Sequence, residues 1–378
     1  MTTRTPRVAV IGAGPGGLAC ARALQRAGVD VTVHERDASR SARDQGGTLD
    51  VQVGTGQVAL RALGLFDGFL AIARPEGQDM RALDKHGTVL RERICEPGDT
   101  EAPEIDRAEL RDLLLDSLAP GTVAWGRAFD SATPLGGGRH RLAFADGSTT
   151  EVDLLVGADG AWSRVRPLVS GARPSYEGVV FVEVRLRDVD AHHPEVAALV
   201  GRGSMFAMQD NLALIAQRQS GGRVRVYAAF RDGLGWARRC GVDLDDPAAA
   251  RAHLLDRFDG WSPELRRLLV ECDDLFLERP VFALPVPHLW NTRAGVTLVG
   301  DAAHLMSPFS GLGANTALLD GVELAQAVLR EPDLLTAVAE YERVMLPRAA
   351  RNAAGAHEGL HSAISDGAPD DVEFDATA

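Results

Sequence analysis

Residues 8–17 read VAVIGAGPGG, an apolar β-branched run cut off by glycines, and the small residues Leu18, Ala19, Cys20 and Ala21 follow. The pattern dictates a strand, a tight turn and a helix. Gly12, Gly14 and Gly17 have the G-x-G-x-x-G spacing of a dinucleotide-binding turn. Gly12 permits the turn, Gly14 lets a pyrophosphate approach the backbone, and Gly17 lets the helix sit close to the strand. The helix N-terminus turns free N–H groups and a positive dipole end toward phosphates. A second apolar run, residues 29–33, follows, and Glu35 lies 23 residues beyond Gly12, where a carboxylate ending the second strand accepts hydrogen bonds from ribose hydroxyls. An adenine dinucleotide is the ligand this stretch predicts.

A chain of 378 residues exceeds what one hydrophobic core usually serves, so two cores are expected. Forty basic against 53 acidic residues give a formal charge of -13, which repels phosphate backbones and anionic membranes, so neither nucleic acid nor membrane is an expected partner. Cys20, Cys95, Cys240 and Cys272 are scattered without C-x-x-C spacing, which suggests neither a zinc site nor a disulfide framework and suits the cytoplasm. His192 and His193 are adjacent in a polar loop and read as surface histidines, so no metal site is expected. Residues 1–7 are short and polar and lead straight into the first strand, leaving no room for a signal peptide.

The polar residues 36–45 form a loop that enters a tight turn at Gly46 and Gly47. Residues 56–70 have helical apolar spacing, with an end near Gly68. Residues 80–94 read as a hairpin about Asp84-Lys85-His86-Gly87, which takes the chain into a second sheet. Asp106 is the expected N-cap of the next helix, with Glu109 as its capping-box partner. Arg107 would project from the first turn, either pairing with a nearby carboxylate or reaching the cofactor phosphates; charge logic leaves both open. Residues 123–124 and 142–144 flank Gly136, Gly137 and Gly138, Asp146-Gly147 turns a hairpin from 142–144 to 151–152 in a small β meander, and the buried strand 154–156 then opens into Gly157-Ala158-Asp159-Gly160. That places Asp159 at the carboxyl end of the sheet, as a second contact to the same cofactor. Residues 175–279 read as an antiparallel sheet with two amphipathic helices, 247–258 and 263–272; Ala248, Leu254, Leu255 and Phe258 face inward on the first. The strand 296–299 ends in Gly300-Asp301, where Asp301 can accept from a ribityl-type hydroxyl, and a glycine-rich loop leads into a helix at 314–329.

The expected architecture is α/β. A discontinuous Rossmann-like domain (1–77, 96–174 and 280–333) carries a second, antiparallel-sheet substrate domain (78–95 and 175–279), a C-terminal helix (334–362) and a disordered tail (363–378). An alternating sheet laid over a cofactor makes a concave site between the domains.

Three fingerprints in this order carry a family resemblance: Gly12-x-Gly14-x-x-Gly17 with Glu35; Gly157-Ala158-Asp159-Gly160-x-x-Ser163-x-Val165-Arg166; and Gly300-Asp301-Ala302-Ala303-His304 with Pro308-x-x-Gly311-x-Gly313-x-Asn315. Over residues 6–362 the chain resembles the class A flavoprotein monooxygenases of the para-hydroxybenzoate hydroxylase type. Gly46-Gly47-Thr48-Leu49-Asp50, Pro103-Glu104-Ile105-Asp106-Arg107-x-x-Leu110-Arg111 and Gly300-Asp301-Ala302-Ala303-His304-Leu305-Met306 make it similar to the tetracycline-inactivating, TetX-like branch. The resemblance implies non-covalent FAD, with Glu35 on the adenosine ribose and Arg36 and Arg107 near the adenosine and pyrophosphate. It implies Asp50 and Asp301 near the flavin or ribityl chain, and the loop of Pro308, Gly311, Leu312, Gly313 and Asn315 positioning the isoalloxazine. It further implies that NADPH reduces the flavin transiently, that O2 adds at C4a, and that the C4a-hydroperoxyflavin passes one oxygen to an electron-rich aromatic or enol carbon. The flavin carries that chemistry, so no catalytic side chain is expected. In the second domain, Glu183, Ser204 and Arg225 stand where the inactivating enzymes hold tetracycline's polar groups, which implies a different pocket for a polycyclic aromatic or polyketide substrate. Phe206, Met208 and Phe309 are its expected apolar walls, and a monomer is the expected state.

A flavin-dependent halogenase should show W-x-W-x-I-P, yet the five tryptophans never fall two apart. Baeyer–Villiger oxygenation on the same scaffold and a non-catalytic flavoprotein binding an aromatic ligand remain the alternatives, the intact loop 308–315 opposing the second.

Overall fold

The computed structural model describes residues 6–365. Five parallel strands form the first sheet in the order Val296–Leu298, Leu154–Gly157, Arg7–Ile11, Asp30–His34, Val123–Ala124. Its central strands are buried nearly throughout, as in a parallel sheet covered on both faces. The helices Pro15–Arg26 and Gly313–Arg330 and the antiparallel meander Phe129–Gly136, Arg139–Phe144, Thr149–Val152 share one apolar core with it. The two helices touch backbone to backbone. A β-carbon on Gly321 would overlap the Gly16 carbonyl oxygen and stand 2.8 Å from the Cys20 nitrogen.

The second sheet has seven strands in the order Leu277–Ala283, Ser175–Leu186, Arg223–Arg231, Leu212–Gln219, Ser204–Gln209, Met80–Leu83, Val89–Arg93. Successive side chains point to opposite faces. Val180, Val182, Val184, Met205, Ala207, Val226 and Phe230 pack under the helices Pro194–Val200, Pro247–Arg257 and Pro263–Val270. The opposite face, with Phe181, Phe206, Met208, Ile215 and Tyr227, meets Leu360, Ala363 and Ile364 at the end of the C-terminal helix Leu334–Ala363. That helix is anchored on the first sheet: Tyr341 Oη donates to the Leu298 carbonyl at 2.9 Å, and buried Glu342 accepts from Trp290, Thr292 and Thr297.

Several local expectations change. The helix expected over 56–70 is two helices, Gly56–Leu63 and Phe66–Leu70, because Gly64 takes the left-handed conformation (φ 69°) and ends the first. The hairpin at 80–94 does enter the second sheet, but Met80–Leu83 pairs in parallel with Ser204–Gln209, so one seam of that sheet is not antiparallel. Asp106 sits at the N-cap of the helix Arg107–Asp116, yet its carboxylate makes no cap hydrogen bond. It accepts instead from Arg74 (3.0 Å), Arg223 (2.9 Å) and Ser220 (2.6 Å), tying the helix start to the second sheet. In the helix Pro247–Arg257 the inward alanine is Ala250, and Ala248 is exposed. The strand Phe129–Gly136 was not expected, since its apolar residues do not alternate cleanly, and the strand Leu277–Ala283 runs across the 279/280 division. Of the tail, 363–365 continue the C-terminal helix end, with Ile364 buried, and 366–378 lie outside the described residues.

Gly321→Ala should lose about 1–3 kcal/mol of stability, the usual range for overpacking, because the neighbours it would strike are backbone atoms that cannot rotate away. The shift in urea midpoint at unchanged slope measures it.

Candidate active site

At the N-terminal turn each glycine has a separate steric reason. Gly12 has φ 108°, and a β-carbon there would strike the Ala158 carbonyl; one on Gly17 would strike the Gly12 carbonyl and lie 3.1 Å from Val10. Around Gly14 a β-carbon would meet nothing within 4 Å, so this side of the turn is open to a ligand. Gly14 is the N-cap of Pro15–Arg26, and no side chain caps that helix. Glu35 is buried beside the turn, one carboxylate oxygen accepting from Ala13 N–H (2.7 Å) and the other from Asp37 N–H (2.9 Å).

Arg111 closes the fingerprint 103–111, but the sequence assigns it no role. It is 3% exposed, donates from Nε to the Ala13 carbonyl (3.0 Å) and from Nη1 to the Arg40 carbonyl (2.9 Å), and leaves Nη2 buried without a hydrogen-bond partner among the described residues. An unpaired guanidinium N–H beside an uncapped helix N-terminus fits a phosphate group. Arg36 and Arg107 are exposed, and neither side chain has a hydrogen bond or ion pair among the described residues. The Arg107 backbone N–H donates to Gly47 O at 2.9 Å, and its stem lies along Gly46. These residues fit a dinucleotide cofactor.

At the other two fingerprints the geometry separates roles. Asp159 is engaged within its own turn, accepting from Ser163 Oγ (2.5 Å) and from the N–H groups of Arg164 (2.7 Å) and Val165 (3.3 Å). Its carboxylate holds the turn that abuts Gly12, and the residue stays half-buried there. Asp301 is exposed at the start of the short helix Asp301–His304, with its carboxylate unpartnered among the described residues. Asn315 is fully buried: Oδ1 accepts from Gln52 N–H (3.0 Å) and Nδ2 donates to the carbonyls of Asp50 (2.9 Å) and Gly311 (3.3 Å). It clamps Asp50 to the loop, where Pro308–Ser310 forms one 3-10 turn, Gly311 reverses at φ 66°, and Leu312 and Gly313 begin the helix.

Behind that loop lies a fully buried pair. His304 Nε2 meets Asp320 Oδ2 at 2.6 Å, Gly300 N–H donates to the same oxygen (3.0 Å), and Arg348 donates to Asp320 Oδ1 (2.9 Å). Burial lowers the His304 pKa, but the Asp320 carboxylate outweighs it and the net shift is upward; burial raises Asp320, but His304 and Arg348 hold it below the usual carboxylate range.

A cavity of about 690 Å³ opens between Asp50, Gln52 and the 308–311 loop on one side and the second sheet on the other. Phe181, Phe206, Met208, Ile215 and Phe309 give it an apolar wall, and Ser204, Gln217, Asp79 and Glu104 are among its polar residues. Ser204, Phe206, Met208 and Phe309 therefore stand where substrate contacts were expected. Glu183 and Arg225 do not line it. They form a buried ion pair (2.5 Å) that Arg185 and Arg279 join at Glu183, while Arg225 donates to Gly46 O (3.0 Å). Arg225 is drawn to the backbone of the 44–47 loop, and Asp44 pairs with Arg185 at 2.6 Å.

Glu104 is one of several cavity residues, with Asp79, Phe181 and Gln217, that the sequence reading does not assign to the site. The strand Glu104–Asp106 pairs with Thr48–Asp50 so that Glu104 stands directly across from Asp50. Burial, and then the Asp50 charge, push the Glu104 carboxyl up to about 8. Away from this cavity, Glu177, His357 and His361 bring possible metal-ligand atoms within 4.8 Å of one another, though Arg231 already contacts His361 Nδ1 at 3.1 Å.

The chain matches the FAD binding domain family over residues 5–231 and 291–353. It is 34% identical to monooxygenase asqM of Emericella nidulans over 375 residues, covering 86% of this chain and 84% of that protein. A variant of HpxO from Klebsiella pneumoniae, solved with FAD, superposes with a TM-score of 0.81 at 25% identity, covering 95% of this chain and 91% of that one. The tetracycline destructase Tet(55) superposes with a TM-score of 0.75 at 23% identity, covering 97% of this chain and 92% of that one, and so shares the fold.

Arg111→Met should weaken FAD binding about tenfold or more, because a charge-assisted bond is lost from a buried position; titrating apoprotein against FAD fluorescence checks it. Asp320→Ala should cost about 3–5 kcal/mol, since it leaves His304 buried without its carboxylate, while Arg348 keeps Glu323 at 2.6 Å. The His304 contribution has a definite pH sense. With its folded pKa above the unfolded 6.5, it is full below pH 6.5 and is lost as pH rises through the folded value. Denaturation of His304→Gln should lack that upper-pH decline.

Proposed function

The chain belongs to the FAD binding domain family and is a class A FAD-dependent monooxygenase, and we propose that it hydroxylates a polycyclic aromatic or polyketide-type small molecule at the expense of NADPH. The observation that carries this reading is the cavity, which joins the loop 308–311 and Asp50 directly to the apolar face of the second sheet. Its volume suits a drug-sized, multi-ring ligand.

In this reading the Gly12–Gly14–Gly17 turn and Arg111 hold the pyrophosphate, Glu35 the ribose, and Arg36 and Arg107 the adenosine and pyrophosphate edge. Asp50, Asp301 and the loop from Pro308 to Gly313 hold the flavin end. Bound FAD supplies reduction by NADPH and activation of O2 for insertion of one oxygen atom. The chain's own task is placement. Phe206, Phe181 and Phe309 stack and orient the rings, Ser204 and the polar side of the cavity fix their edge, and the second sheet with the C-terminal helix keeps water out. The ion pair of Glu183 and Arg225 acts indirectly, by holding the 44–47 loop beside Arg107. Tetracycline-like compounds are one candidate class within this reading.

The experiment is NADPH consumption by FAD-loaded protein in air, across tetracyclines, anthracyclines and simpler phenols, with product masses recorded. The expected result is oxidation stimulated by a polycyclic compound that gains one oxygen atom. Stimulated oxidation with all electrons recovered as hydrogen peroxide, for every compound, would overturn it.

A further inference from the structure

Glu104 is 9% exposed and lines the cavity, and its two oxygens have different fates. Oε2 lies 2.5 Å from Thr48 Oγ1. Oε1 has no hydrogen-bond partner among the described residues and is not sealed from the cavity.

The Thr48 hydroxyl decides where the proton is. It has one hydrogen to give and two lone pairs to receive. Three groups contact it: the Ile105 carbonyl at 3.0 Å, Arg74 Nη2 at 2.9 Å and Glu104 Oε2 at 2.5 Å. The carbonyl can only accept and the guanidinium can only donate, so Arg74 fills one lone pair, and the single hydroxyl hydrogen can serve Ile105 when Glu104 Oε2 is itself the donor. The second lone pair is filled if Glu104 Oε2 carries a proton. An ionised Glu104 would compete with Ile105 for one hydrogen and face Asp50 across the ribbon as a second negative charge.

The charged groups around Glu104 agree. Asp50 opposes it from the paired strand, Asp106 follows on its own strand, and Arg74 is divided between Thr48 and Asp106. Farther round the cavity, Asp79 is paired with Arg202, Arg93 lies within 3.7 Å of Asp99 and Glu101, and Glu358 adds another carboxylate. The polar side is acid-rich, with Arg93 as its cation among the lining residues.

We propose that Glu104 is a specificity-determining residue that meets the substrate as a neutral carboxylic acid. Its proton is directed to Thr48, and its carbonyl oxygen accepts a hydrogen bond from an N–H or O–H on the edge of an uncharged aromatic substrate. An aromatic carboxylate at that edge is disfavoured, because it brings a negative charge without a proton to the acceptor oxygen and to Asp50. Thr48 is the positioning residue. The proposal rests on the monooxygenase reading for the word substrate, and its test does not require turnover.

The test uses FAD-loaded protein and two nearly isosteric probes, 4-hydroxybenzamide and 4-hydroxybenzoate, titrated against the flavin absorbance at pH 7, with an infrared difference spectrum between wild type and Glu104→Gln. The amide should bind about tenfold or more tightly than the carboxylate. Glu104→Gln, which keeps a neutral acceptor, should hold the amide's affinity within about threefold, and Glu104→Leu should lower it by about tenfold. The spectrum should show the C=O stretch of a protonated carboxyl that Glu104→Gln lacks and Thr48→Val weakens. Equal or tighter binding of the carboxylate, binding of neither probe, equal losses in the Gln and Leu variants, or absence of the band overturns the proposal. Failure of the functional reading is separate: probes would bind as stated while no compound gains oxygen.

Discussion

Gly16 and Gly321 meet with no side chain between them, and the rest of the structure depends on that contact. It lays Gly313–Arg330 against Pro15–Arg26, so a loop some 300 residues downstream reaches the N-terminal glycine turn. Two polar devices then hold the loop in register. Asn315 binds it to the backbone of residues 50–52, and Asp320 binds its preceding strand end to the C-terminal helix through Gly300, His304 and Arg348. The Asn315 amide and the Asp320 carboxylate are buried with each oxygen and nitrogen hydrogen-bonded, which is the condition under which buried polar groups specify one arrangement.

The second sheet works by its period of two. One face is spent on helices that give the domain its own core, and the other supplies the apolar cavity wall. Where that second face passes beyond the cavity it becomes ionic. Glu183, Arg185 and Arg225 reach the 44–47 loop there, and Asp106 is gripped from Arg74, Ser220 and Arg223. The two sheets are thus joined by charge and hydrogen bonds around a chamber with an apolar wall, and its acid-rich polar side is continuous with the ribbon bearing Asp50 and Glu104.

Much of this was legible from local pattern. The strand–turn–helix at residues 8–17, the hairpin at 80–94, the buried strands before Asp159 and Asp301 and the two long C-terminal helices follow from periodicity and glycine placement. Asn315 and Asp159 were legible as motif positions, but their side chains serve the loop and the turn, because hydrogen-bond partners come from segments a motif does not contain. Arg111 and Glu104 were legible as motif positions without a role: one looks like a helix-surface arginine, the other like a strand-end carboxylate, until burial strands Nη2 of the first and the cavity opens beside the second.

Local sequence sets the cofactor class and the order of the main strands and helices, since backbone sterics and side-chain period are local properties. Tertiary structure alone decided which inward residues reach open space and which are neutralised. Phe206 and Glu183 share a sheet face, yet one lines a cavity and the other is enclosed by three arginines. Burial and charge pairing depend on neighbours brought together from distant parts of the chain, and a carboxyl's state is set by what surrounds it once water has been removed.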